Sequence, residues 1–185
     1  MRAEQQRDPA WVYWKARALQ KLSGNSQDAE GMRGLSRELL ASIAGRMHFY
    51  GKLAAEDLGQ SVELPGKPAP LTAEEIEAAR NHPGLTRALQ LIALGLRNEG
   101  VREWNFSLRG MDDRQLLAAA QLACDREVWD RCINTSDRTR GEIDIDQRFP
   151  MPFRTEVQAR ARDIGLDPAY VYGLIRQESR FVMDA

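Results

Sequence analysis

Glu178, close to the C-terminal end of the 185-residue sequence, stands in a setting that suits acid/base chemistry. It follows Leu174 by four residues and Ile175 by three, so on a helix it lies on or beside the apolar face. That placement predicts a partly buried carboxyl. Apolar surroundings disfavour the charged form, raise the pKa and let the group donate a proton near neutral pH. The competing reading is an ordinary surface glutamate paired with Arg176 or Arg180.

Other reactive residue types are sparse. His48 and His82 are remote from each other and there is no CxxC pair, so no metal site and no cofactor is expected. Cys124 and Cys132 are eight residues apart, about 12 Å of rise if one helix carries both. On one helix a bridge is geometrically excluded; with a turn between them they are able to meet, but the expectation is two buried, inert thiols.

The elements that must position Glu178 read as helices. Ala, Leu, Glu, Arg and Gln dominate, apolar residues recur at helical period, and no sustained alternation appears, so the fold class is all-α. After Pro9, Trp11, Trp14, Ala18 and Leu22 form one apolar stripe, expected to be buried, ending at Gly24-Asn25. A second helix runs from about Asp28 to Ile43, with Ser26 near its start and Leu35, Leu39 and Ile43 as its inner row. A short third helix spans 48–59, closed by Gly59.

Residues 60–71, with Pro65, Pro68 and Pro70, form the clearest linker. Thr72 and Glu75 make a capping box that starts the next helix, which Pro83 interrupts. A stronger helix follows through Leu85, Leu89, Ile92, Ala93 and Leu96, with Gly100 as its turn and Val101, Trp104 and Leu108 on its partner. Asp112 caps a helix bearing Leu116, Leu117, Ala120 and Ala123, paired with one bearing Val128, Trp129, Cys132 and Ile133. Ala93, Leu96 and Val101 lie 27 residues before Ala120, Ala123 and Val128, a faint repeat of the kind that stacks helix hairpins into a solenoid. The four tryptophans, at 11, 14, 104 and 129, fall at helical spacing and are expected in the core.

Residues 141–152 form a connector, forced into an extended path by Phe149-Pro150-Met151-Pro152. Two helices follow. The first, Glu156 to Ile164, turns Val157 and Ala161 inward and ends at Gly165; the second opens at Asp167-Pro168 and carries Val171, Leu174 and Ile175 on one face up to Glu178.

Bulk properties narrow the function. With 26 Lys+Arg against 27 Asp+Glu the net charge is -1, which removes the electrostatic case for nucleic acid or an anionic membrane. No stretch approaches the roughly 20 apolar residues of a membrane span, and the first residues lack the apolar core of a secretory signal.

The segment FPMPFRTEVQARARDIGLDPAYVYGLIRQESRF resembles the start of the catalytic domain of soluble lytic transglycosylases: a proline-rich entry, a short helix, Gly-Leu-Asp-Pro, then an apolar helix ending Arg-Gln-Glu-Ser. WVYWKARAL, HFYGKLAAEDLG and EVWDRCINTSDRT are similar to the family's preceding helical superhelix. The resemblance implies a superhelical array of short antiparallel hairpins over 1–140, a connector over 141–152, and over 153–185 the truncated start of a lysozyme-like catalytic domain. It further implies cleavage of the β-1,4 bond between N-acetylmuramic acid and N-acetylglucosamine in peptidoglycan glycan strands. Glu178 would act alone, first as acid and then as base, closing a 1,6-anhydro ring, and Ser179 would support the carboxylate or the substrate through its hydroxyl. Arg176 and Gln177 are given packing or salt-bridge roles, and Tyr170 and Tyr172 read as sugar-groove residues or, more commonly, as core.

In the family the Glu-Ser pair is followed by a Gly-Leu-Met-Gln type segment and helices that wall the sugar groove, whereas this sequence ends at Ala185. The 185 residues alone are therefore expected to be inactive, and the helix over 171–175 to lack packing partners. The substrate's location implies a periplasmic protein. The alternative is a helical-repeat module that holds a partner protein without catalysis; the segment from Phe149 to Phe181 speaks against it.

Overall fold

The computed structural model describes residues 3–24, 28–45 and 47–183, among which the regular elements are helices and there is no strand. The chain divides into two compact units, 1–64 and 65–185, within the proline-rich linker.

The first unit contains α1 (Ala3–Gln6), α2 (Pro9–Ser23), α3 (Ala29–Ala44) and α4 (Phe49–Asp57). Asp8 caps α2 by accepting the Ala10 amide at 2.9 Å, with Pro9 at the first turn. The expected stripe on α2 is reversed. Val12, Tyr13, Ala16 and Ser23 face inward, while Trp11 and Trp14 are 56% and 58% exposed and Leu22 is also exposed. The reason is close packing: Ser36 on α3 donates to the Ala16 carbonyl at 2.9 Å, and only small residues permit that approach. The same contact turns α3 so that Ser36, Leu40 and Ile43 are buried and Leu35 is exposed. Asn25 and Ser26 lie outside the described residues. His48 caps α4, its Nδ1 accepting the Gly51 amide at 2.9 Å, and Arg17 holds Asp57 through two 2.9 Å contacts.

The second unit opens with α5 (Ala73–Asn81), α6 (Pro83–Ala93), α7 (Arg97–Ser107), α8 (Asp113–Asp125) and α9 (Trp129–Ser136). The Thr72/Glu75 capping box forms, and Asp112 with Gln115 makes a second. Glu75 is also gripped by Arg114 at 2.6 and 2.7 Å, while Arg114 reaches the Ala69 and Pro70 carbonyls and so pins the end of the linker. That guanidinium, with the Thr72 amide, draws the Glu75 carboxyl down to about 2.

The turn between α6 and α7 is at Gly95 (φ 79), not Gly100. Gly100 sits inside α7, where an added Cβ would meet the Ala88 carbonyl oxygen and Ile92 Cγ1 at 2.7 Å, so it is a site of close helix approach. The hairpin repeat is present, but its step is 32 residues, not 27. In α6 the amides of Gly95 and Leu96 bond back to the carbonyls of Ile92 and Leu91; in α8 those of Glu127 and Val128 bond back to Cys124 and Ala123. The 27-residue match aligned apolar letters, whereas the turn, which fixes the register, aligns Gly95 with Glu127, and the glutamate hides the correspondence.

The core of this unit joins Leu85 and Ala88 of α6, Trp104 of α7, and Leu116, Ala119 and Ala123 of α8. Trp104 is fully buried, as expected, and Trp129 packs partly buried at the start of α9. The turn at Glu127 also brings Cys124 and Cys132 together: their Cα atoms are 5.1 Å apart and the sulfurs are bonded. The inert-thiol reading is thus corrected, because the two residues sit on different helices.

Candidate functional site

Glu178 ends α12 (Pro168–Glu178), which follows α10 (Ile145–Arg148) and α11 (Arg154–Asp163). The connector is not wholly extended, since Asp144 caps α10 by accepting the Gln147 amide at 3.1 Å. On α12, Asp167 accepts the Ala169 amide at 2.8 Å with Pro168 at the first turn, as the residues predict. Gly165 (φ 71) joins α11 to it through the same back-bonded turn found in both hairpins.

The inward face of α12 differs from expectation. Tyr172 and Ile175 pack against Ile133 of α9 and against Phe181, with Trp129 and Val157 alongside, while Leu174 is exposed. Tyr172 takes this role because its hydroxyl donates to the Pro152 carbonyl at 2.8 Å, which satisfies the polar tip of a buried ring. Tyr170 is exposed. The helix therefore has partners within the chain.

Arg176 supplies the polar anchor. Its Nε donates to the Arg148 carbonyl at 2.7 Å, Nη2 reaches the Asp137 carboxylate at 3.1 Å, and its guanidinium lies 4.5 Å from the centre of the Phe149 ring. Arg148 is itself buried, and donates to the carbonyls of Ser136 and Thr139 at 3.2 and 2.8 Å. Burial pulls its pKa down, with Asp137 opposing. Arg176 thus has the salt-bridge and packing role assigned to it. Asp137 and Arg148 were not foreseen, since nothing in NTSDRT or DQRFP shows that a later helix will need two anchoring groups there.

Glu178 itself is exposed, which corrects the expectation of partial burial. Among the described residues its side chain forms no ion pair, so neither Arg176 nor Arg180 holds it. The helical spacing to Leu174 and Ile175 is as read, but the packed face is centred on Tyr172 and Ile175, and Glu178 projects beyond it. Ser179 is partly buried: its Oγ donates to the Ile175 carbonyl at 3.3 Å and accepts the Phe181 amide at 3.2 Å. The backbone is left-handed at Arg180 and Phe181 (φ 49 and 63), which ends the helix and folds Phe181 back onto Tyr172, ring centres 6.0 Å apart. No cluster of His, Cys, Asp or Glu able to hold a metal occurs among the described residues, and no helix there is long and apolar enough to cross a membrane.

Two clefts flank this region. An apolar one of about 510 Å³ is lined by Phe149, Pro150, Met151, Pro168, Tyr172 and Arg176. A larger one of about 910 Å³ is lined by residues that include Leu71, Leu117, Cys124, Trp129, Asp144 and Met151. Neither includes Glu178 or Ser179.

Helix hairpins sharing one turn type, followed by a helix that presents an exposed glutamate beside an anchored arginine, define an all-helical repeat protein. Residues 78–140 match the family model described as the soluble lytic murein transglycosylase L domain. The soluble lytic murein transglycosylase of Salmonella typhimurium is 24% identical over 169 residues, 91% of this chain and 25% of that protein; that of Escherichia coli K12 is 22% identical with the same coverage. An inactive Glu-to-Gln mutant of lytic transglycosylase Slt from Pseudomonas aeruginosa superposes with TM-score 0.75 and 30% identity, covering 100% of this chain and 29% of that one. The 70-kDa soluble lytic transglycosylase in complex with bulgecin A gives TM-score 0.66 and 20% identity, covering 98% and 28%, and shares the fold. The matched domain, the curated relatives and the shared fold together support a member of the soluble lytic transglycosylase family. It spans about a quarter of the length of the curated relatives it matches.

Proposed function

We propose that this chain is the portion of a peptidoglycan lytic transglycosylase that carries its catalytic glutamate, Glu178. Residues 1–140 would be the helical superhelix, 141–152 the connector and 153–185 the first helices of the lysozyme-like catalytic domain. The observation that carries this reading is the Arg176-Gln177-Glu178-Ser179 ending of α12, with Arg176 fixed to the preceding helices and Glu178 left projecting from them.

In the proposed reaction Glu178 protonates the oxygen of the β-1,4 bond between N-acetylmuramic acid and N-acetylglucosamine. It then takes the proton of the muramic C6 hydroxyl as that oxygen closes the 1,6-anhydro ring. One carboxyl serves both steps, because the sugar's own acetamido group stands in for the second carboxylate of two-carboxylate glycosidases. Ser179 bonds within the turn and would support Glu178 by fixing the backbone that follows it. A general acid works only when it is fixed against its oxygen in a site that excludes water; Glu178 is exposed here, so the 185 residues alone should not turn over. A disulfide fits an oxidising compartment such as the periplasm, where peptidoglycan lies.

The test is to incubate peptidoglycan with the full-length protein carrying this sequence, its Glu178→Gln variant, and the 185-residue chain, and to assay 1,6-anhydro-muropeptides by mass spectrometry. The full-length protein should make them, the variant about 10²- to 10⁴-fold more slowly or worse, and the 185-residue chain not at all. Undiminished product from the variant would remove Glu178 from the mechanism.

A further inference from the structure

The 32-residue step sets two pairs of residues in the same place. Ile92 and Gly100 of the first hairpin correspond to Cys124 and Cys132 of the second. In the first hairpin Gly100 leaves room for Ile92, and the helices meet by packing alone. In the second the same position is a covalent bond between α8 and α9. Cys132 is fully buried, whereas Cys124 is partly exposed and lines the 910 Å³ cleft. Beyond Cys132, α9 supplies the seat of α12: Ile133 packs against Tyr172 and Phe181, and Asp137, which caps α9, takes Arg176.

We propose that the Cys124–Cys132 bond is a redox-operated staple whose oxidised form holds α9 to α8 and thereby fixes the seat of α12, and whose reduction by a dithiol entering the cleft loosens both. The reductant's thiolate attacks Cys124 Sγ, the sulfur on the cleft side. The sulfur–sulfur bond breaks and Cys132 leaves as a thiolate that takes up a proton. The second thiol of the reductant then displaces Cys124, so the dithiol becomes a disulfide and two electrons and two protons pass to the cysteines. Cys132 is fully buried, and its one polar neighbour among the described residues is the Gln147 carbonyl at 3.4 Å, so the first hairpin's solution, isoleucine facing glycine, should replace the bond with a contact that no reductant can open. The proposal concerns the support of α12 and does not depend on Glu178 being catalytic.

The experiment is hydrogen–deuterium exchange on the full 185-residue chain with and without dithiothreitol, alongside thiol alkylation and intact mass. Unreduced chain should carry no free thiol. Reduction should speed exchange of α12 amides about tenfold or more, and re-oxidation should reverse it. The Cys124→Ile/Cys132→Gly double variant should keep the slow exchange and ignore dithiothreitol; the Cys124→Ser/Cys132→Ser double variant should exchange like the reduced chain in either condition and stands as control if the first does not fold. Free thiols in the unreduced chain, faster exchange confined to residues 124–132, no change at all, or a response to dithiothreitol in either variant would overturn the proposal.

Discussion

Trp104 on α7 donates its indole N–H to the hydroxyl of Thr135 on α9 at 2.8 Å, with both side chains fully buried. This bond joins the two hairpins of the second unit at their most enclosed point. Thr135→Val keeps the shape but strands the donor, and should lower stability by about 1–3 kcal/mol in urea unfolding. Thr135→Ser, which keeps the acceptor, should lose less. A larger loss in Thr135→Ser than in Thr135→Val would show that the methyl group, not the hydroxyl, is what matters there.

Glu75 should make the second unit sensitive to acid. Its carboxyl lies at about 2 in the folded chain against an ordinary 4.5, through the Arg114 guanidinium first and the Thr72 amide second. A depressed folded pKa contributes stability that is fully present above 4.5 and is lost as pH falls from there toward 2. Thermal unfolding of the protein and its Glu75→Gln variant across that range should show the wild-type advantage shrinking steadily with acid. A constant difference between the two would refute the linkage.

Glu127 occupies the left-handed position (φ 57) that Gly95 and Gly165 occupy in the matching turns. A side chain there is strained, so Glu127→Gly should stabilise the chain by about 1 kcal/mol in denaturant unfolding. A destabilised variant would mean that the glutamate side chain makes up for the strain.

Glycines inside helices should respond in opposite directions. Gly100→Ala forces a methyl against the Ala88 carbonyl and Ile92 and should cost about 1–3 kcal/mol. Gly34→Ala, on an exposed stretch of α3 with nothing within 4 Å of the new carbon, should gain roughly 0.5–1 kcal/mol. Melting temperatures of the two variants decide it, and a shift of the same sign in both would contradict the packing described for Gly100.

The helical class, the linker over 60–71, the Thr72/Glu75 capping box, the Asp112 cap and the Asp167-Pro168 start of α12 are legible because each rests on local chemistry within a few residues. The buried faces of α2, α3 and α12 are not. In each, large apolar side chains suggested the inner row, but the close approach of Ala16 to Ser36, or the hydroxyl partner of Tyr172, set the rotation instead. The exposure of Glu178 belongs to the same class of error, since spacing from Ile175 fixes a direction on the helix but not whether anything covers it. The expectation of two inert thiols fails for want of one fact, that a turn falls at Glu127 and places Cys124 and Cys132 on facing helices.

The recurrence of one back-bonded turn at Gly95 and Glu127, with helix starts at Arg97 and Trp129, means that a recombination between these two turns inserts or removes 32 residues while the turn and the helix start after it keep their register. Gene duplication within such a chain therefore changes its length in whole hairpins. Lineages descended from it are free to differ in the number of hairpins ahead of α12 without disturbing the local geometry that ends each one.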